Sequence, residues 1–209
     1  MVAYIIVGIM AYLIGSISFS VIFSKKFAGF DVREKGSKNA GTTNVLRTVG
    51  KKAAIITLAC DISKGLVSVL IAFLVGKFIV KDVATDVLVQ IAGIAAVLGH
   101  TFPIFFKFKG GKGVATCIGL LLLMNYQIGL ICLVFGIVLI LLTRMVSVGS
   151  IMAAILFPVL TVFIGENYLV PGNYVVFGIL IASLVIFNHR KNVQRILAGE
   201  ENKLNFGKK

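Results

Sequence analysis

The chain has 209 residues, a net charge of +13, 58% hydrophobic residues and a mean hydropathy of +1.02. With only 14% charged residues, this composition excludes an ordinary soluble protein and predicts one integral membrane domain over residues 1–209. The positive charges lie between apolar stretches, so we expect membrane lipid headgroups and phosphorylated substrates as partners, and not nucleic acid.

Seven apolar stretches predict an all-α fold. In chain order they cover 2–24, 53–76, 87–106, 114–124, 128–142, 150–165 and 174–188. Most approach the roughly 20 residues that a helix needs to cross about 30 Å of hydrocarbon. The fourth stretch is too short to cross alone, and polar residues at 125–127 separate it from the fifth. We therefore expect a seven-transmembrane-helix bundle with a short fourth helix, which is tolerated where irregular backbone lines a polar cavity.

Basic residues are distributed unevenly between the predicted loops. With seven crossings, one side of the membrane holds 18 of the 21 Lys and Arg residues. The segments on that side are 25–52, 107–113, 143–149 and the tail from 189. Because cytoplasmic loops are enriched in Lys and Arg, we expect the N-terminus outside and the C-terminus inside. The polar segments then face the cytoplasm.

The first polar segment, residues 36–47, contains the longest polar run of the chain. Its glycines, hydroxyls and amides suit a phosphate, because backbone N–H groups and polar side chains donate hydrogen bonds while Arg47 adds charge. The candidate binding residues are Gly36, Ser37, Asn39, Gly41, Thr42, Thr43 and Asn44. The alternative is a solvated loop between two membrane helices.

The second polar segment, residues 108–116, leads into the short fourth helix. Gly110, Gly111 and Gly113 would let the backbone approach a ligand closely, and N–H groups at a helix start favour an anion. Lys112 supplies a positive charge. The segment lacks the P-loop pattern, and a basic cytoplasmic turn remains the alternative.

The third polar segment, residues 188–195, follows the last apolar stretch. If it is helical, the spacing places His189, Asn192 and Arg195 on one face. A solvated histidine at the membrane interface is the alternative. Arg190 and Lys191 are predicted to contact lipid headgroups.

Charged residues also occur inside or beside the apolar stretches. Asp61 and Lys64 are three residues apart in the second stretch and should pair inside the bundle, either as a structural pair or reaching a site. His100 suits a capping role as well as a catalytic one. Asp31 and Glu34 are expected to be solvated. No motif indicates a metal site, a cofactor or a covalent nucleophile, so none is expected.

Taken together, these segments resemble the bacterial membrane glycerol-3-phosphate acyltransferases that use acyl phosphate as the donor. The matching segments are Gly36-Ser-Lys-Asn-Ala-Gly-Thr-Thr-Asn-Val-Leu-Arg47, Asp61-Ile-Ser-Lys-Gly65, Gly99-His-Thr-Phe-Pro103, Phe108-Lys-Gly-Gly-Lys-Gly-Val-Ala-Thr116 and His189-Arg-Lys-Asn192. Their order and spacing agree over essentially the whole chain. The family usually has glycine at the position of Lys38 and often proline at that of Ser18.

The resemblance implies a seven-helix cell-membrane enzyme with a cytoplasmic active site. It would transfer a fatty acyl group from acyl phosphate, without acyl-CoA or acyl carrier protein as direct donor, to the 1-hydroxyl of glycerol 3-phosphate. Lysophosphatidic acid and inorganic phosphate would be the products. The resemblance also implies functionally important positions for Ser37, Arg47, Lys112, His189 and Asn192.

Each substrate carries a phosphate, and the first two polar segments offer two places to hold one. We expect the first segment with Arg47 to bind acyl phosphate, and Lys112, His189 and Asn192 to orient glycerol 3-phosphate, although the opposite assignment is nearly as good. A transporter of phosphorylated metabolites is the alternative function, because it too would use basic glycine loops at helix ends. The clustering of polar groups at one membrane face argues against it.

Overall fold

The computed structural model describes residues 1–164 and 168–204, and within these ranges it contains helices and no strand. The prediction of an all-α chain is confirmed for this part. The α-helices are α1 (Val2–Gly15), α2 (Phe19–Ala28), α3 (Thr42–Thr48), α4 (Lys51–Leu74), α5 (Thr85–Thr101), α6 (Val114–Met124), α7 (Tyr126–Thr143), α8 (Val146–Phe163), α9 (Val175–Asn188) and α10 (Arg190–Leu197). Short 3-10 turns cover Val32–Glu34 and Ile104–Phe106, and a π-helical turn at Val75–Ile79 extends α4.

Each predicted apolar stretch contains a helix, although the helices differ in length. In the described part of the chain, five helical stretches are long and apolar enough to cross a membrane. They are Val2–Ala28, Lys51–Ile79, Thr85–Phe106, Tyr126–Thr143 and Val146–Phe163. Two apolar helices are shorter, α6 and α9. The number of crossings and the orientation of the termini stay predictions.

Small residues bring the helices close together. A Cβ added at Gly119 of α6 would lie 1.9 Å from the Ile62 carbonyl oxygen of α4, and one at Gly15 of α1 would lie 2.2 Å from the Ala96 carbonyl oxygen of α5. Only glycine allows such backbone contact, which is the usual basis of helix association in lipid. These contacts bring α1, α4, α5 and α6 together beneath the polar segments.

The interior is apolar at the end of the molecule away from those segments. Phe157 of α8 and Phe177 of α9 meet edge to face, with ring centroids 6.0 Å apart. Both rings are buried in a cluster that also contains Leu88, Leu120 and Met124. Edge-to-face contact suits the charge distribution of aromatic rings and fixes their packing. The cluster joins α5, α6, α8 and α9.

The predicted interruption between the fourth and fifth stretches is confirmed. Helix α6 ends at Met124, and Asn125 caps α7 by accepting a hydrogen bond from the Ile128 N–H at 3.1 Å. Asparagine is a favoured residue at this position because its side chain satisfies an otherwise unpaired N–H group. The short α6 therefore begins at the second polar segment and stops inside the bundle.

Two predicted boundaries are wrong. The first apolar stretch is broken between α1 and α2, and the Ile17 carbonyl freed by the break accepts a hydrogen bond from Lys64 Nζ at 2.9 Å. The predicted loop at 143–149 shrinks to Arg144 and Met145, because α8 begins at Val146. Small and polar residues stand at both real boundaries, Gly15-Ser-Ile-Ser18 at the first and Arg144 at the second.

The expectation that Asp31 is solvated is also wrong. Its carboxylate is largely buried, forms an ion pair with Arg33 at 2.7 Å and accepts the Arg33 backbone N–H at 3.0 Å. Arg33 also donates to the Phe106 carbonyl at 2.7 Å. The hydrogen bond with Arg33 is the main cause of a lowered Asp31 pKa. Arg33 therefore ties the chain just before the first polar segment to the loop before the second.

Candidate active site

The three polar segments line one cavity of about 690 Å³. Its lining includes every predicted binding or catalytic residue except Gly36: Ser37, Asn39, Gly41, Thr42, Thr43, Asn44, Arg47, Gly110, Gly111, Lys112, Gly113, His189 and Asn192. Residues more than 150 positions apart in the sequence therefore share a single site. Among the described residues, no group of three or more His, Cys, Asp or Glu side chains lies close enough to hold a metal ion.

Asn44 organises the first polar segment. Its Oδ1 accepts the Ser37 N–H at 2.9 Å, and its Nδ2 donates to the carbonyl oxygens of Val32, Lys35 and Asn39. The side chain is buried and fully used by these contacts. Asn44 therefore holds the loop in shape, while hydroxyls of the segment remain to face a ligand.

Two residues of the first segment have left-handed backbone. Gly36 has a φ of 59° and packs against Asn44 outside the cavity lining, and Lys38 has a φ of 58°. Glycine adopts this conformation freely, whereas a lysine there is strained. Lys38 stands where the resemblance led us to note a usual glycine, and its backbone is in a conformation that glycine adopts more readily. The Lys38 side chain is exposed at the cavity mouth.

Arg47 brings a charge from α3 to the cavity wall. Burial is the main cause of its lowered pKa; Glu201 acts in the opposite direction, and Arg195 lowers the pKa further. A guanidinium nevertheless stays charged at all physiological pH values. A partly desolvated cation facing a cavity is well suited to a phosphate.

The second segment forms a backbone hairpin against the end of α5. The Gly111 N–H donates to the His100 carbonyl and the Gly110 N–H donates to the Thr101 carbonyl, both at 3.1 Å. A Cβ at Gly110 would lie 2.0 Å from the His100 carbonyl oxygen. Gly113 has a φ of 89° and is the N-cap of α6. The glycines are therefore required by close packing and backbone shape as well as by any ligand.

Lys112 links the second segment to the third. Its ammonium donates a hydrogen bond to Asn192 Oδ1. Burial lowers the pKa of Lys112 to about 8; Glu201 raises it, and Arg195 and Arg47 lower it. The side chain is thus a positive charge near neutral pH, held in place by an uncharged partner and available to a further anion.

His189 and Asn192 are both buried at the junction of α9 and α10. His189 Nδ1 lies 2.8 Å from the Val185 carbonyl oxygen, so this nitrogen carries the proton and Nε2 is left as an acceptor. Burial, followed by the nearby charge of Lys112, lowers the pKa of His189 to about 4. The ring is therefore neutral at pH 7.

Glu201 is a cavity residue that the sequence reasoning missed. Its carboxylate accepts hydrogen bonds from Asn192 Nδ2 at 2.8 Å, Arg195 Nε at 2.9 Å and Ser147 Oγ at 3.0 Å. Burial alone would raise the pKa of Glu201, but these contacts outweigh it and the pKa lies below its ordinary value. Glu201 orients the Asn192 amide so that its oxygen faces Lys112.

The contacts at Glu201 also explain why it was missed. Asn192 and Arg195 lie on the face predicted from their spacing, but the tail carried no motif that pointed to residue 201. The fold-back is fixed by main-chain pairing, since the Leu204 N–H donates to the Arg144 carbonyl at 2.7 Å. A contact of this kind has no signature in local sequence.

Asp61 and Lys64 form the predicted interior pair, with Lys64 Nζ 2.9 Å from Asp61 Oδ1. Both side chains are buried. Asp61 and His100 additionally line the cavity, which the sequence reasoning had left open.

Comparison with known proteins gives a consistent result. A family model described as glycerol-3-phosphate acyltransferase matches residues 5–199. A glycerol-3-phosphate acyltransferase of Thermoanaerobacter sp. (strain X514) is 42% identical over 200 residues, covering 96% of this chain and 95% of its own length. One from Clostridioides difficile (strain 630) is 39% identical over 204 residues, covering 97% and 96%.

Solved structures agree with the sequence comparison. The crystal structure of PlsY (YgiH), an integral membrane glycerol 3-phosphate acyltransferase, in its glycerol 3-phosphate form has a TM-score of 0.84 and 35% identity to this chain, covering 97% of this chain and 96% of PlsY. Its lysophosphatidic acid form has a TM-score of 0.82 and 33% identity, covering 97% and 95%.

Proposed function

This chain belongs to the glycerol-3-phosphate acyltransferase family, and we propose that it transfers a fatty acyl group from acyl phosphate to the 1-hydroxyl of sn-glycerol 3-phosphate. The products are lysophosphatidic acid and inorganic phosphate, the first step of phospholipid synthesis. The chain is an integral membrane protein, and residues 1–164 and 168–204 form helices and no strand. Its topology in the proposal has seven spans, with the N-terminus outside and the active site at the cytoplasmic face of the cell membrane.

One observation carries the proposal: several cations, Arg47 and Lys112 among them, and several hydroxyl and amide groups from three distant segments line a single cavity. A reaction between two phosphorylated molecules needs such a site, because both anions must be held side by side without water between the reacting atoms. The first segment with Arg47 holds the acyl phosphate in this proposal. Lys112, His189 and Asn192 orient glycerol 3-phosphate.

An apolar pocket adjoins the polar cavity and suits the acyl chain. It lies between α6, α7, α8 and α9, has a volume of about 100 Å³ and shares four lining residues with the cavity. The shared residues are Val114, Ile118, Ile140 and Ser150. An acyl phosphate could therefore place its headgroup among the cations while its tail remains in apolar surroundings.

The chemistry requires positioning and charge more than a strong base. The glycerol hydroxyl oxygen attacks the acyl carbon, the bond from that carbon to the phosphate oxygen breaks, and phosphate leaves with the electron pair. The hydroxyl proton passes to a phosphate oxygen, so atoms and charge balance. Cations beside the departing phosphate stabilise its growing charge. Ser37 is placed to donate to the acyl phosphate in this scheme.

The test of the proposal is an assay of the purified protein with palmitoyl phosphate and radiolabelled glycerol 3-phosphate. We expect labelled lysophosphatidic acid and an equal amount of inorganic phosphate. Palmitoyl-CoA replaces palmitoyl phosphate in a parallel reaction and is expected to give no product. Lysophosphatidic acid formed from palmitoyl-CoA and not from palmitoyl phosphate would contradict the proposed donor. If neither donor gives product and the protein takes up glycerol 3-phosphate into vesicles, the result would favour a transporter.

Replacing His189 tests whether this ring orients the acceptor or takes its proton. With a pKa near 4 the ring is a weak base at pH 7, so we expect His189→Ala to raise the KM for glycerol 3-phosphate about tenfold and to lower kcat less. His189→Gln keeps an acceptor near the position of Nε2 and should recover most of the affinity. A collapse of kcat in both variants, with KM unchanged, would show that His189 is the base.

The pKa of Lys112 predicts an alkaline limit to acceptor binding. Its charge is present below about pH 8 and is lost above it, so kcat/KM for glycerol 3-phosphate should fall about tenfold per pH unit on the alkaline side. Arginine keeps its charge at all these pH values. The kcat/KM of Lys112→Arg, although lower, should therefore not fall on the alkaline side. An alkaline limb at the same pH in both proteins would contradict the assignment to Lys112.

A further inference from the structure

A buried ion pair and a histidine meet directly behind the phosphate cavity. Asp61 and Lys64 belong to α4, and His100 lies in the last turn of α5. Lys64 Nζ is 2.9 Å and His100 Nδ1 is 3.6 Å from the same oxygen, Asp61 Oδ1. All three side chains are buried, and Asp61 and His100 also line the cavity. The reaction scheme above uses none of them.

The ion pair solves an electrostatic problem at this position. A buried carboxylate is costly without a partner, and one beside a phosphate site would also repel the ligand. Lys64 neutralises Asp61 and also donates a hydrogen bond to the Ile17 carbonyl at the break between α1 and α2. Asp61 can therefore line the cavity without adding net negative charge to it.

His100 connects this pair to the second polar segment. Its carbonyl accepts the Gly111 N–H at 3.1 Å, and a Cβ at Gly111 would lie 2.1 Å from His100 Nε2. Gly111 therefore packs directly against the His100 imidazole. Its other nitrogen, Nδ1, has no hydrogen-bond partner among residues 1–164 and 168–204 and faces the Asp61 carboxylate. The orientation of the ring thus depends on Asp61, and the path of the backbone into Lys112 depends on the ring.

Resting on the proposed function, we propose that His100, oriented by the Asp61–Lys64 pair, is a positioning residue that sets the backbone of Gly110–Gly113 and so places Lys112 on the acceptor phosphate. His100 acts through the loop and does not touch the reacting atoms. The role is distinct from simple packing, because it predicts a selective change in affinity for one of the two substrates.

The first test compares His100→Phe with His100→Asn. Phenylalanine fills the space but cannot contact Asp61 through a polar atom, so the KM for glycerol 3-phosphate should rise about tenfold or more, while the KM for palmitoyl phosphate stays within about twofold. Asparagine places an amide donor near the position of Nδ1 and should keep both KM values within about threefold of the original protein. Thermal unfolding of each variant is measured in parallel.

The second test uses charge. Lys64→Met leaves the Asp61 carboxylate unpaired beside the cavity and should raise the KM for glycerol 3-phosphate at least tenfold. Adding Asp61→Asn to this variant removes the repulsion of the phosphate and should bring the KM most of the way back to that of the original protein. Thr57→Val is the matched control, because Thr57 is buried in α4, its hydroxyl donates to the Ala53 carbonyl and it does not line the cavity.

The outcomes separate this inference from the proposed function. If the original protein makes no lysophosphatidic acid, the proposed function fails. If it does, and His100→Phe and His100→Asn have the same KM for glycerol 3-phosphate as the original protein with altered melting temperature alone, His100 is merely structural and the inference is overturned. A double variant no better than Lys64→Met would overturn the charge argument as well.

Discussion

Replacing Lys112 with methionine is expected to lower kcat/KM for glycerol 3-phosphate by about 100- to 1000-fold, the range seen when a preorganised charge or donor is removed from an active site. Methionine nearly preserves the length of the side chain and its packing. The ammonium is partly desolvated and its hydrogen-bond partner Asn192 is uncharged, so its positive charge is not cancelled by that partner and is lost in the methionine variant. Initial rates over a range of acceptor concentrations measure the effect.

Lys107 provides the matched control for this experiment. It belongs to the same loop and is exposed, and it does not line the cavity. Lys107→Met should therefore keep its rate within about twofold, since exposed surface charges contribute little. If Lys112→Met is as active as Lys107→Met, the second polar segment is not part of the site.

Replacing Arg47 with methionine is expected to reduce kcat/KM for palmitoyl phosphate by about 100-fold or more, with most of the loss in the KM for this donor. Arg47 is an exposed residue of the cavity wall, and a guanidinium can contact two phosphate oxygens at once. Arg47→Lys keeps the charge and loses this geometry, so it should recover only part of the activity. The KM for each substrate is measured separately.

Arg144 is the control for the Arg47 variants. It is exposed between α7 and α8 and does not line the cavity, and methionine there should leave the rates unchanged. If Arg47→Met instead raises the KM for glycerol 3-phosphate, and Lys112→Met raises the KM for palmitoyl phosphate, the assignment made here is wrong. The two phosphates would then bind in the opposite places.

Much of the architecture follows from short-range patterns in the sequence. The apolar stretches predicted where the helices lie, and the polar residues around Asn125 predicted the interruption that makes α6 short. The spacing of Asp61 and Lys64 predicted their pairing, because two charges at that distance along a membrane helix can satisfy each other. These features are set by residues close together along the chain.

Other features depend on contacts that local sequence does not encode. The break between α1 and α2 occurs at Gly15-Ser-Ile-Ser18, without proline, and the carbonyl it frees is satisfied by Lys64, 47 residues away. Glu201 reaches Asn192 only because the tail folds back along α10. The packing of His100 against Gly111 requires the precise approach of the second segment to the end of α5.

The candidate site could be predicted from the sequence only in part. Glycines, hydroxyls and basic residues marked each segment as a possible phosphate site, but each had an equally simple explanation as a solvated loop. The resemblance of all the segments together predicted that they act as one site. Their common cavity supports that prediction, and it also shows that Asn44 is engaged within its own loop and that Gly36 lies outside the lining.

A structure of the protein with glycerol 3-phosphate bound tests the central claim most directly. We predict that the phosphate lies within about 3 Å of Lys112 Nζ, the distance of a charge-assisted hydrogen bond. The glycerol hydroxyls should contact His189 or Asn192, with the 1-hydroxyl pointing toward the space between Ser37 and Arg47. A phosphate bound outside this cavity, or held by one polar segment with the other two out of reach, would contradict the account.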